Sequence, residues 1–327
     1  MTKMSSISRI KRKSKRTKRI ATLGTNTIKA PAFKPKLGFR PVVRTMHKNK
    51  SLQELLPRFP KRVVIRFGSF HEYDDSIERV EINTVNAVDN SSDKFRMKAC
   101  FNRDGVKTAD AFYYLGPNHF VIASDNPEIP KTNTDVNFEE FKPPFVGKVR
   151  RGSRGIGMVL IETVEELNEF CNNFDMFKNA IGLEGKTVGI GGFIFEKYRT
   201  HSREYRIHIS NLGVIYTNRK VIKNDTPDDQ RYFRNDSNSN WLLESNSAFD
   251  KPSNWDDIIE ESKKALNAVG LTVGAVDVKV QSATNKKGEK RENPDFFIVE
   301  INSAPSFGEG TLKAYAEMMP RIITSKM

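Results

Sequence analysis

Lys148 stands just before the run Arg-Gly-Ser-Arg-Gly-Ile-Gly at 151–157, and Phe-Glu-Lys-Tyr follows at 195–198. Val-Asp-Val-Lys at 276–279 and Ile-Val-Glu-Ile-Asn-Ser-Ala-Pro at 298–305 complete the series. A lysine ahead of a glycine-rich turn is suited to phosphates, because its ammonium and the turn's inward N–H groups all donate to anionic oxygen. One aspartate and a glutamate/asparagine pair on two late strands offer the oxygen ligands that Mg²⁺, or Mn²⁺, takes up. In this order the residues describe a site for ATP and a divalent cation.

Each part has a physical basis and a plainer alternative. Asp277 has Ala275 and Val276 before it and Val278 after it, so its strand reads as buried, and a carboxylate there needs a cation or hydrogen-bond donors. Glu300 follows the apolar run 296–299, and Asn302 lies two residues on, so their side chains share one face of a strand. Structural ion pairs or strand-end caps would use the same residues. In the loop, Gly152, Gly155 and Gly157 admit backbone shapes that a Cβ forbids, with Ser153 and Arg154 between them. A hairpin that merely turns the chain would look similar, and it is Lys148 and the later motifs that favour phosphate. A Walker loop is excluded, because there the lysine follows the glycines and opens a helix. A protein kinase is excluded by the same order and by the lack of a His-Arg-Asp loop.

Charge divides the chain. Residues 1–50 hold sixteen Lys or Arg and no Asp or Glu, whereas the remainder has 38 basic and 40 acidic residues. A segment so rich in Lys, Arg, Ser, Thr and Pro buries too little apolar surface to offset its ordering entropy, so 1–50 is expected to be a disordered basic tail. It suits three roles: contact with nucleic acid or another acidic partner, a targeting address, or a solvated arm. No aromatic residue occurs in 1–32, so any nucleic-acid contact there would be electrostatic. No apolar run approaches the length of a membrane span. The two cysteines, Cys100 and Cys171, read as small buried residues, and a reducing, cytoplasmic setting is expected (host cytoplasm for a viral protein).

The elements that must position the site follow from periodicity. Residues 62–68 read as a buried strand, 92–104 as a helix capped by Ser92, and 106–114 as a strand. Then 145–149 is strand, 150–157 loop, 158–161 return strand and 164–174 a helix capped by Thr163; 205–209 and 214–217 are further strands. This is α/β order, in which ligands bind at carboxyl ends of strands.

The arrangement resembles the ATP-grasp superfamily of carboxylate-amine ligases, in particular the branch of D-alanine:D-alanine ligases and ribosomal-protein glutamate ligases, over about 62–323. The resemblance implies an α/β (α+β) ATP-grasp fold: a small domain at 51–90, a lid subdomain with the glycine loop at 91–192, and a metal-bearing subdomain at 193–327. It implies that Lys148 and the loop cover the ATP phosphates, joined by Lys94 of the Asp93-Lys94 pair. It makes Glu196, Lys197 and Tyr198 the adenine hinge, Glu204 the ribose carboxylate, and Asp277, Glu300 and Asn302 the metal ligands. Arg219 matches an arginine of the glutamate-ligase branch; with Arg206 it would hold an acyl-phosphate or its oxyanion. Lys220 and Arg234 read equally as solvated residues, and His201 and His208 as surface or packing residues. Two departures stand out: Ala275 replaces the arginine that D-alanine ligases carry before the metal aspartate, and Pro305-Ser306 replaces the usual Pro-Gly. The donor acid and acceptor amine therefore do not transfer. A nucleotide-dependent binding protein that attaches to nucleic acid or an assembly without ligation is the alternative function.

Overall fold

The computed structural model describes residues 38–45, 51–122, 135–152, 155–228, 231, 234 and 238–327. Most of the expected basic tail, together with Ser153 and Arg154, lies outside them.

Three sheets, each with its own apolar core, make up 38–327. The first is a parallel sheet of β1 (Val42–Thr45), β2 (Arg62–Phe67) and β3 (Arg79–Ile82), with α1 (Ser51–Leu55) between β1 and β2. Since β1 pairs with β2, the folded chain begins before residue 50, and the expected tail boundary moves back accordingly. The run Val63-Val-Ile65 is buried on both faces of the central strand, as a covered parallel strand requires.

Two helices follow, α2 (Val85–Ser92) and α3 (Lys94–Arg103). The sequence predicts one helix from residue 92 capped by Ser92; instead Ser92 closes α2, and Asp93 caps α3 by accepting from the Phe95 N–H. Both residue types cap well, and the preceding helix decides between them. The second sheet is antiparallel, ordered β5-β4-β8-β6-β7, from β4 (Ala111–Gly116), β5 (His119–Ile122), β6 (Phe145–Val149), β7 (Val159–Ile161) and β8 (Phe193–Lys197). Its core is phenylalanine-rich, with Phe112, Phe145, Phe193 and Phe195 fully buried beneath α4 (Val164–Asn172) and α5 (Phe174–Phe177). Thr163 caps α4 as expected.

The third sheet is also antiparallel, ordered β11-β10-β9-β12-β13: β9 (Arg203–Ser210), β10 (Gly213–Ile222), β11 (Ser239–Leu243), β12 (Val273–Val280) and β13 (Phe296–Asn302). α6 (Trp255–Ala268) covers one face, while α7 (Glu309–Thr324) returns to the first sheet's core through Tyr315, Met319 and Ile322. Met97, Cys100 and Phe101 place α3 in the core of this third sheet, and β8 belongs to the second, so the expected subdomain boundaries at 91 and 193 both shift. Asn83 ties the first sheet to the third: its side chain donates to Arg66 O and Val273 O and accepts from Thr272 N and Val273 N. Cys100 and Cys171 are free and buried. No helix among the described residues is long and apolar enough to cross a membrane.

Candidate active site

Strand register builds the site. Successive side chains alternate faces, so Tyr205, Ile207 and Ile209 of β9 enter the core while Glu204 and Arg206 face the other way. Arg206 lies opposite Asp277, which lies opposite Glu300; Ala275 lies between His208 and Asn302. One step further, Phe297, Lys279, Glu204, Lys220 and Trp241 are opposite one another across β13, β12, β9, β10 and β11. A bulge skips Val299 and keeps Glu300 and Phe297 on the same face. The expectation of a site at strand ends gives way to one spread over the open face of an antiparallel sheet. That face and the second sheet enclose a cavity of about 530 Å³.

At one end Asp277, Glu300 and Asn302 meet. The Asn302 amide donates to Glu300 Oε1 at 3.2 Å and to Asp277 Oδ2 at 3.4 Å. Arg206 Nε and Nη2 each reach Asp277 at 2.7 Å. Burial alone would raise the Glu300 carboxyl, yet Lys94, Lys148 and Arg206 outweigh it and hold Glu300 down to about 2. Burial, helped by the neighbouring Glu300 and Glu204, pushes Asp277 up against the pull of Arg206. Among the described residues no three His, Cys, Asp or Glu side chains cluster as a metal site, and the oxygen donors that meet here are the carboxylates of Asp277 and Glu300 and the Asn302 carboxamide. Two carboxylates and an amide oxygen fit Mg²⁺ or Mn²⁺, whose remaining positions phosphate and water oxygens would fill.

The phosphate-side lysines converge on the same end. Lys148, on β6, donates to Glu196 Oε2 at 2.8 Å. Lys94, the first residue of α3, donates to Gly152 O at 2.8 Å and lies 3.6 Å from Glu300 Oε2. Asp93 fastens this helix start to the loop, since Arg150 Nη2 and Arg151 Nε reach it at 2.9 and 3.3 Å. The loop needs its glycines: Gly155 and Gly157 have φ of 72° and 73°, and a Cβ on Gly157 would lie 2.5 Å from Val149 Cγ2.

Other predicted residues fare differently. Glu204 lines the cavity and pairs with Arg234 at 3.2 Å. Glu196, Lys197 and Tyr198 line it too, but the Lys197 N–H donates to Asp110 O and the Tyr198 N–H to Pro144 O, both at 3.0 Å. The two main-chain donors expected to read a base are therefore engaged, and the Lys197 ammonium caps Lys142 O and Pro143 O. Arg219 is not brought into the site. It stands opposite core-facing Tyr205, one residue out of phase with Lys220, and its guanidinium donates to Ala248 O at 2.7 Å. Lys220 and Arg234 do line the cavity, Lys220 donating to Arg234 O. His208 is buried against Tyr315 Oη, and burial pushes it down to about 3, so it packs as a neutral ring. His201 is a packing residue beside Asp295 and Phe297.

Sequence reasoning missed Lys98. Fully buried, it reaches Thr108 Oγ1 at 2.5 Å, Ala109 O at 3.3 Å and Glu196 Oε1 at 3.6 Å, so Glu196 is held between Lys98 and Lys148. Burial pushes its ammonium down to about 8. The available signal was one helical turn, since Lys98 is four residues after Lys94 among apolar neighbours.

No family model matches the chain, and no curated protein matches it in sequence. Among solved structures it is similar to the D-alanine–D-alanine ligase of Bacillus anthracis complexed with ATP, at 13% identity and TM-score 0.52, covering 89% of this chain and 99% of that one. It is also similar to the biotin carboxylase of Campylobacter jejuni in a β,γ-ATP complex, at 17% identity and TM-score 0.48, covering 80% of this chain and 54% of that one. The chain has the ATP-grasp fold.

Proposed function

We propose that the chain is an ATP- and Mg²⁺-dependent ligase that joins a carboxylate to an amine through an acyl-phosphate. One observation carries the reading: Asp277, Glu300 and Asn302 meet at one end of a cavity into which Lys94 and Lys148 also point. Such a set suits transfer of the γ-phosphoryl to a carboxylate oxygen, releasing ADP, followed by attack of the amine nitrogen on the carbonyl carbon with departure of phosphate and loss of a proton. A cation bound at the trio would neutralise charge on the transferring phosphoryl group. Lys94 and Lys148 would bind phosphate oxygens and orient them, which is most of what phosphoryl transfer asks of a protein. Glu196, fixed by Lys98, holds Lys148 in place. Arg206 is the guanidinium placed to hold an acyl-phosphate oxygen, in preference to Arg219. The glycine loop would close over the phosphates and exclude water.

A second reading has its own observation. Arg206 occupies both oxygens of Asp277, as in a protein that binds nucleotide without turning it over. The basic stretch in 1–50 further supports attachment to nucleic acid or another acidic partner under either reading. Phosphate release from Mg·ATP, by wild type and Glu300→Ala, across pools of amino acids, peptides and nucleic acids separates the two. Release dependent on one pool and lost in the variant supports the ligase; ATP binding with no release from any pool supports the binding protein.

A further inference from the structure

Among the described residues, two cations that line the cavity have no hydrogen-bonded or ion-paired acceptor, and one of them, Arg199, lies over the Phe297 ring instead. Lys94, Lys148, Arg206, Lys220 and Arg234 each have an acidic or carbonyl partner. Lys279 lines the same cavity, and among the described residues its ammonium makes no hydrogen bond or ion pair. A half-buried ammonium with three unused donors gains from a ligand that supplies an acceptor.

Register says which part of a ligand that is. Lys279 lies two residues along β12 from Asp277, about 7 Å at the usual rise per residue. The step leads away from the cation trio and into the row containing Phe297 and Glu204. Phe297 packs against Arg199 and His201, immediately after the hinge strand β8. Lys279 is therefore on the hinge side of the site, away from the triphosphate. Here a second deficit appears. A purine ring nitrogen carries a lone pair and needs a donor, but the N–H groups of Lys197 and Tyr198 are spent on Asp110 O and Pro144 O. The site lacks a main-chain donor for the base at these two positions and has a side-chain donor without an acceptor.

We propose that Lys279 is a specificity-determining residue that donates to a ring nitrogen of the bound purine. The proposal rests on the nucleotide reading of the site. It assigns to a side chain the recognition that a hinge strand ordinarily performs with its backbone, and it makes the base preference sensitive to one substitution.

Titration calorimetry with ATP, 1-deaza-ATP, 3-deaza-ATP and 7-deaza-ATP on wild type, Lys279→Met and Lys279→Arg tests it, with steady-state KM and kcat alongside where turnover is found. Wild type is expected to bind one deaza analogue on the order of 10-fold more weakly than ATP, the size of one lost hydrogen bond. Lys279→Met should bind ATP about as weakly as wild type binds that analogue, and should no longer distinguish the two. Any effect on turnover should fall on KM and not on kcat, and Lys279→Arg should keep part of the discrimination. Wild type binding all four nucleotides equally would overturn the assignment without need of a variant, and would direct the ammonium to ribose or phosphate if Lys279→Met still binds weakly. Undiminished discrimination in Lys279→Met would overturn it as well, with ATP binding itself intact. Failure of wild type to bind any of the four would overturn the nucleotide reading together with it.

Discussion

Lys98→Met probes the least expected residue of the site. Lys98 is fully buried, and burial lowers its ammonium from the model-compound value of 10.5 to about 8 against the pull of Glu196. The unfolded chain regains the ordinary value. Between the two values the unfolded state binds more protons than the native state, so stability rises with pH across that interval. Below pH 8 the full penalty of a buried ammonium is present; above 10.5 it is gone. With 1.36 kcal/mol per unit, the single-site linkage amounts to about 2–3 kcal/mol between pH 7 and pH 10. Other groups titrate in this range, among them Lys279, which burial also lowers to about 8. The informative quantity is therefore the difference between wild type and Lys98→Met, which lacks the titrating amine but fills a similar volume. Urea unfolding at several pH values from 7 to 10 should show wild type gaining about 2–3 kcal/mol relative to the variant, at unchanged m-value. Parallel stability curves would refute the reasoning and mean that Lys98 is solvated or fully compensated by Glu196.

Four further outcomes are expected. Asn83→Ala removes four hydrogen bonds, three of them between the first and third sheets, at roughly 1 kcal/mol each, and should lower stability by about 4 kcal/mol in chemical denaturation, with alanine strain at a φ of 62° adding to the loss. Gly157→Ala should destabilise the loop by about 1–3 kcal/mol, seen as faster limited proteolysis near 150–157 and weaker nucleotide binding. If the proposed ligase activity is found, Arg219→Ala should leave kcat/KM of the folded protein within about threefold of wild type, while Arg206→Ala lowers it by roughly 10² or more, as parallel turnover assays would record. Deletion of 1–37, which carries twelve of the sixteen N-terminal Lys and Arg, should weaken binding to single-stranded nucleic acid and flatten its dependence on salt in a fluorescence titration.

Strong local signals carried much of this structure. The strand Phe145–Val149 and the Thr163 cap lie where the sequence puts them, since an apolar run ending at a loop and a threonine two residues before two glutamates each admit few alternatives. The face shared by Glu300 and Asn302 was legible because strand geometry fixes it. Arg219 enters the sequence reading by resemblance, and the strand read at 214–217 is shorter than β10, which runs to Ile222; without a register, nothing in the sequence says whether 219 or 220 faces the cavity. Lys98 was invisible for a related reason, since a lysine on a helix of otherwise buried residues reads as a solvated edge until a carboxylate from a strand about a hundred residues later is seen against it. Asn83 at positive φ carries no signal at all in its neighbours.

Pairing, and not composition, decides how such a cavity could admit its ligands. Four ion pairs line it: Arg206–Asp277 at 2.7 Å, Lys148–Glu196 at 2.8 Å, Arg234–Glu204 at 3.2 Å and Lys94–Glu300 at 3.6 Å. The first three join strands of a sheet or its adjoining loop and are held by their frame. The last joins the start of α3 to β13, is the longest, and has no linear hydrogen bond to defend, because the Lys94 ammonium already donates to Gly152 O. A nucleotide phosphate and a divalent cation entering together would exchange partners there without leaving a buried charge uncompensated: the phosphate takes Lys94 and the cation takes Glu300. Neither ion alone achieves this, since phosphate alone would meet the Glu300 carboxylate, and the cation alone would release Lys94 into a cavity already rich in ammonium and guanidinium groups. Binding of ATP and of Mg²⁺ should accordingly be cooperative, each tightening the other by the same factor, and the coupling should weaken when Lys94 is replaced by methionine, leaving the part that comes from direct contact of cation and phosphate.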